Sequence, residues 1–246
     1  MTTVKNIYDY INFIAPFDTQ EDWDNSGFLI GSFRQEVTKC VVALDVTRET
    51  AEFAAEQGAQ LIVSHHPVVF SPMKKITDEH LQYQLIRDGI SVVSAHTNFD
   101  KARGGINTAL AECLELENTA YLECGAVIGA LKTSMVCEAF AAFVKQRLGC
   151  GALRYSDTDR PISKVAVCGG SCTELIKLLP PCDAFVTGDA SYHALLDADQ
   201  ERFCLVSAGH FETENPGVIK LLKYLSEIFT DVEFLNPHQK NPVKVV

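Results

Sequence analysis

The chain has 246 residues, 47% of them hydrophobic and 22% charged. That composition fits a folded protein of one or two domains and excludes a disordered, collagen-like or low-complexity chain. Its 32 acidic against 21 basic residues leave a net charge of −11, which argues against a broad nucleic-acid surface, because such surfaces neutralise phosphates with Lys and Arg.

In chain order, short continuous apolar runs predict strands at 40–45, 60–65, 90–95, 163–169, 183–188, 203–208 and 231–236. Helical patterns fall between them, at about 47–57, 78–88, 106–117, 134–148, 172–179, 190–198 and 214–229. Strand followed by helix, repeated, predicts an α/β fold with mostly parallel sheets covered on both faces. Residues 118–133 and 149–162 carry no regular pattern, and the first reads as a crossover between domains. Thr213 reads as an N-cap with Pro216 in the first helical turn, where a missing N–H costs nothing. No apolar run approaches the ~20 residues that span a bilayer. The opening MTTVKNIYDYINFIAP lacks a basic cluster followed by an apolar block, so no secretory leader is expected there.

Nine cysteines are scattered along the chain with no CxxC pair. Cys168 and Cys172 are four apart, but no second pair completes a zinc ribbon. Reduced, buried thiols acting as small hydrophobes are the expectation, and with them a cytoplasmic location.

The polar residues collect where strands end, which is where ligands bind in open α/β sheets. Asp45 closes the first predicted strand, Ser64-His65-His66-Pro67 the second, and His96-Thr97-Asn98-Phe99-Asp100 the third. Gly188-Asp189 and Gly209-His210-Phe211-Glu212-Thr213-Glu214 close two later ones. Adjacent side chains in a strand diverge, so His65 and His66 suit two neighbouring ions better than one. His96 and Asp100 share a loop, where Asp100 could bind metal, orient a ligating imidazole or cap local N–H groups. Glu214 could bridge two cations or simply stabilise a helix N-terminus. Imidazole and carboxylate donors together suit zinc, iron, manganese or nickel without choosing between them.

These residues, in this order, resemble the NIF-three-like family, also called the GTP cyclohydrolase I type 2 family. The matching segments are Trp23-Asp24-Asn25-Ser26-Gly27, SHHPVVFSPMKKI (64–76), HTNFD (96–100), GGINTALAE (104–112), TGDASYHALLDA (187–198) and GHFETENPG (209–217). The resemblance implies two α/β domains with two divalent metal ions in the interdomain cleft, assembled as a toroidal homohexamer. Its metal ligands fall on His65, His66, Asp100, His210 and Glu214. His66 and Asp100 are implied on one ion, His65 and His210 on the other, with Glu214 bridging. His96 is implied at the site as a catalytic group, a ligand or a group that positions one. For His210 to join His65, the chain must return to its first domain, so the domains expected are 1–122 plus 207–246, and 123–206. His193 would then lie near the cleft, as a substrate contact or a surface residue.

The activity implied is hydrolysis of GTP to 7,8-dihydroneopterin triphosphate and formate. A metal-dependent phosphoester hydrolase or a non-enzymatic metal-binding scaffold would use the same donors. No P-loop marks a triphosphate site, although the N–H groups of Gly169-Gly170-Ser171 could receive an anion. A small nucleotide is the expected partner, and neither a membrane nor nucleic acid is.

Overall fold

A computed structural model describes all 246 residues. The first elements are α1 (Val4–Ile14), β1 (Gly27–Ile30), β2 (Lys39–Ala43), α2 (Arg48–Glu56), β3 (Leu61–Ser64), α3 (Leu81–Arg87), β4 (Ser91–Ser94), α4 (Thr97–Lys101) and α5 (Ile106–Cys113). Then come β5 (Glu117–Tyr121), β6 (Val127–Met135), α6 (Cys137–Leu148), β7 (Arg154–Tyr155), β8 (Ile162–Cys168) and β9 (Ala184–Thr187). The last are α7 (Tyr192–Gln200), β10 (Cys204–Ser207), α8 (His210–Ile228) and β11 (Glu233–Leu235). No helix is long and apolar enough to cross a membrane.

The chain divides into two units, Met1–Ala102 with Val218–Lys240 and Arg103–Gly217 with Asn241–Val246. The first holds a five-stranded sheet in the order β1-β4-β3-β2-β11. Its pairs are parallel except for β1 on β4, as expected for this half of the chain. Val41, Ile62 and Val92 on one face pack with Ala51 and Ala54 of α2 and Leu85 of α3. Full burial of each large aliphatic side chain is worth about 1.5–3 kcal/mol. Helix α1 starts at a reciprocal capping box between Thr3 and Asn6 and buries Val4, Ile7 and Ile11, the spacing of a single helical face.

The second unit holds a six-stranded sheet in the order β5-β6-β8-β9-β10-β7. Here the expectation of a mostly parallel sheet fails. Only β8-β9 and β9-β10 are parallel, while β5-β6, β6-β8 and β10-β7 are antiparallel. Residues 118–133 form most of a hairpin and not a crossover, which accounts for the antiparallel pair β5-β6. Leu122 N–H donates to Ala126 O at 2.9 Å across its turn, and a connection that short can join only antiparallel strands. The central strands are covered on both faces. Leu110, Leu114, Phe140 and Val144 meet Val165, Val167, Val186 and Val206 on one side, and Ala166, Phe185 and Leu205 carry the other core.

The unit boundaries fall at 102/103, 217/218 and 240/241, where the sequence put two, at 122/123 and 206/207. Leu110 and Leu114 of α5 belong to the core under the second sheet, which draws residues 103–122 into that unit.

Candidate metal centre

In the first unit, β2, β3 and β4 run parallel, so the segments after them share one rim of the sheet. His65 and His66 prolong β3 by one hydrogen bond each, from His65 N–H to Ala43 O at 3.1 Å and from His66 N–H to Leu44 O at 2.9 Å. The chain turns at Pro67, and both rings stay on this rim with centroids 4.9 Å apart. His96 follows β4, with its ring 5.1 Å from His65 and 5.4 Å from His66. One ligand atom from each of the three imidazoles lies within 4.8 Å of the others.

His96 stays in the loop after β4, as the N-cap, whereas Asp100 lies in a short helix. Residues 97–101 form one helical turn, in which Asp100 N–H donates to His96 O at 3.0 Å. Asp100 Oδ1 lies 3.5 Å from His65 Nε2. The carboxylate therefore lies beside His65.

In the second unit, β8, β9 and β10 also end on one rim. Gly209, at φ +96°, turns the chain from β10 straight into α8. That helix begins at His210, three residues before the expected cap. Thr213 is not the N-cap. Its hydroxyl lies 2.9 Å from Gly209 O and accepts from Gly170 N–H at 3.1 Å. Pro216 consequently lies inside the helix, past the first turn. With His210 and Glu214 now one helical turn apart, His210 Nε2 lies 3.1 Å from Glu214 Oε2. Glu214 is only 3% exposed. Gly170, at φ +68°, makes room for it, because a Cβ there would run into Glu214 Oε1.

Each of the four imidazoles is held at Nδ1. His65 Nδ1 lies 2.8 Å from Ala95 O, and His66 Nδ1 2.8 Å from Asp45 Oδ1. His96 Nδ1 lies 2.7 Å from Asp24 Oδ1, and His210 Nδ1 2.7 Å from Asp189 Oδ2. A carbonyl or an ionised carboxylate can only accept, so each ring donates from Nδ1 and, when neutral, carries its lone pair on Nε2. The surroundings of Asp24 favour its ionised form. Burial works to raise its carboxyl, but hydrogen bonds from His96, Thr97 and Ser26 outweigh it and hold the group well below the usual carboxylate range.

In each unit, taken by itself, the donors are of a kind that could hold a metal ion. Metal-binding histidines characteristically donate their second nitrogen to a carboxylate or carbonyl in this way. A neutral ring with its proton on Nδ1 would face the carboxylate lone pair to lone pair at the Nε2–oxygen separations of 3.5 Å for His65–Asp100 and 3.1 Å for His210–Glu214. Neighbouring ligands on an ion with bonds of about 2.0–2.1 Å lie about 2.9–3.4 Å apart.

The structure also places two further sequence candidates. Gly169 and Gly170 already donate their N–H groups to Asn107 Oδ1 and Thr213 Oγ1, which takes two of the three N–H groups expected for an anion. His193 lies exposed on the first turn of α7, its ring 5.5 Å from that of Tyr192. The sequence reading missed the roles of Asp24, Asp45 and Asp189. Each stands at a strand end or in a matching segment, but the partner of each lies 72, 21 and 21 residues away, respectively.

Comparison with known proteins adds to the geometry. Residues 2–242 match the family model described as Duf34/NIF3 (NGG1p interacting factor 3). A Clostridium perfringens protein named GTP cyclohydrolase 1 type 2 homolog is 32% identical, with 99% of each chain covered. A Helicobacter pylori protein named GTP cyclohydrolase 1 type 2 is also 32% identical, covering 97% of this chain and 99% of its own. In fold, the chain matches the crystal structure of a Bacillus cereus protein related to NIF3 at TM-score 0.92 and 22% identity, covering 100% and 99% of the two chains.

Proposed function

Since the chain belongs to the Duf34/NIF3 family, we propose that it is a two-metal hydrolase of the GTP cyclohydrolase type 2 kind. The reaction proposed is opening of the guanine imidazole ring of GTP, with release of formate and formation of 7,8-dihydroneopterin triphosphate. His65, His66, Asp100, His210 and Glu214 would hold two divalent ions as one centre, in a cleft between the two units. Zinc, iron, manganese and nickel all suit such donors.

The observation that carries the reading is the fixing of four imidazoles at Nδ1, two of them with Nε2 at ligand spacing from a carboxylate oxygen. Because Asp100 lies with His65, that pair is assigned to one ion and His66 with His210 to the other, with Glu214 as the bridge. When bound, two such ions polarise a substrate group and bring the pKa of a water near neutrality. His96, oriented by Asp24, is the group assigned to move a proton at Nε2. The ions also set the local charge, so a net charge of −11 does not disfavour an anionic nucleotide there. The relatives' names support the nucleotide substrate. The assembly proposed is a ring-shaped homohexamer, which light scattering would report as six chain masses.

The test is GTP consumption and formate release by metal-loaded protein, beside Asp100→Ala and Glu214→Ala. Loss of turnover in both variants is expected. Turnover that survives both substitutions refutes the reading, and metal-loaded protein without turnover points to a metal-binding scaffold.

A further inference from the structure

Two large aromatic side chains stand exposed beside the histidine cluster in the first unit. Trp23 is 59% exposed and Phe70 52%. Their ring centroids are 6.0 Å apart at 43°. His96 lies 5.9 Å from Trp23 and 6.5 Å from Phe70, edge-on to both. Leaving two such rings in water forgoes the stabilisation that their burial would bring.

They are not loose. Asp24, next to Trp23, is tied to His96 Nδ1 at 2.7 Å and to Thr97 Oγ1 at 2.6 Å. Asn25 Nδ2 donates to Val69 O, the residue before Phe70, at 2.6 Å. The loop carrying Trp23 is thereby pinned both to the loop carrying Phe70 and to the base of His96. The result is an ordered, half-open aromatic wedge next to an imidazole whose Nε2 is left for chemistry.

We propose that Trp23 and Phe70 form the stacking platform for the planar heteroaromatic ring of the substrate and set its position against His96. Stacking on aromatic side chains accepts any planar base and needs no hydrogen-bond readout. The wedge tilts open, so the ring lies on the indole face with the edge of Phe70 beside it. The inference rests on the hydrolase reading for its choice of substrate, but its test does not depend on turnover.

Trp23 is the only tryptophan in the chain, so intrinsic fluorescence reports this position alone. Guanosine and inorganic tripolyphosphate are titrated separately into full-length protein, metal-loaded and metal-stripped. Guanosine is expected to quench the emission saturably in both forms, and tripolyphosphate to leave it unchanged. By calorimetry, Phe70→Leu and Trp23→Leu should each weaken guanosine binding about tenfold, the scale of one lost base–aromatic stack. Trp23→Phe, which keeps a ring, should restore most of it. An unchanged circular dichroism spectrum would separate these effects from misfolding. Emission indifferent to guanosine, or leucine variants that bind it as the parent does, overturns the proposal. So does blue-shifted emission that no ligand changes, which would mean that another chain covers the indole. Saturable quenching without formate release would leave the platform standing and refute the hydrolase.

Discussion

Asp45→Asn is the cleanest perturbation of the proposed metal site. Among its side-chain contacts, Asp45 Oδ1 meets His66 Nδ1 at 2.8 Å. The surrounding turn is secured independently, by Gln239, which accepts from Leu44 N–H and Asp45 N–H and donates to Asp45 O. The fold should therefore survive the substitution. What changes is the tautomer control on His66. An asparagine can accept from Nδ1–H, but it can equally turn its NH2 toward the ring and drive the proton to Nε2, where it blocks a metal. Removing a group that orients a metal ligand typically costs 10–100-fold in metal affinity. With 43% of its side chain exposed, Asp45 belongs at the low end, about tenfold or ~1.4 kcal/mol. Competition against a chelator, with the melting temperature of the stripped protein as control, measures this directly. Wild-type metal affinity in Asp45→Asn would refute the claim that Nδ1 partners hold these rings for a metal.

Three further outcomes follow from the same coordinates. Gly170→Ala places a side chain at φ +68° against the Glu214 carboxylate; it should lower stability by about 1–2 kcal/mol and reduce the metal content, both read on one purified sample. Burial, with help from Glu212 and Asp183 respectively, pushes the Cys150 and Cys182 thiols up to about 11, so at pH 8 a disulfide reagent should label them only slowly until denaturant is added; rapid labelling of all nine thiols in the native state would contradict the packing. Hydrogen bonds from the Thr2 hydroxyl and N–H hold the Asp231 carboxyl below its usual range. That contribution is present above the unfolded pKa of about 3.9 and is lost as pH falls through the folded one. Wild type should therefore out-melt Asp231→Asn at pH 7, with the gap closing toward pH 3.

Strands β2, β3, β4, β8, β9 and β10 were legible because both faces are covered, which leaves continuous apolar runs in the sequence. β5 escaped notice because every residue of ENTAY is exposed, so burial imposes no pattern on it. β6 escaped because Gly129 and an exposed Lys132–Ser134 interrupt its run. Helix α1 was readable, with Thr3 as cap and Val4, Ile7 and Ile11 on one face, yet the segment was weighed only as a leader. The donor residues could be picked out because they cluster after strands. The carboxylates holding Nδ1 could not, since each meets its histidine only once separate strand ends share a rim. The start of α8 was misplaced for a local reason: a threonine followed by a proline imitates a cap, while the turn is actually made at Gly209.

The central claim is that the histidines and carboxylates hold two ions. Anomalous diffraction from metal-loaded crystals tests it most directly. Two peaks are predicted about 3.5–4 Å apart, one on Nε2 of His65 with Asp100 and one on Nε2 of His66 with His210, joined by Glu214. A single peak, or none on these nitrogens, would contradict the account.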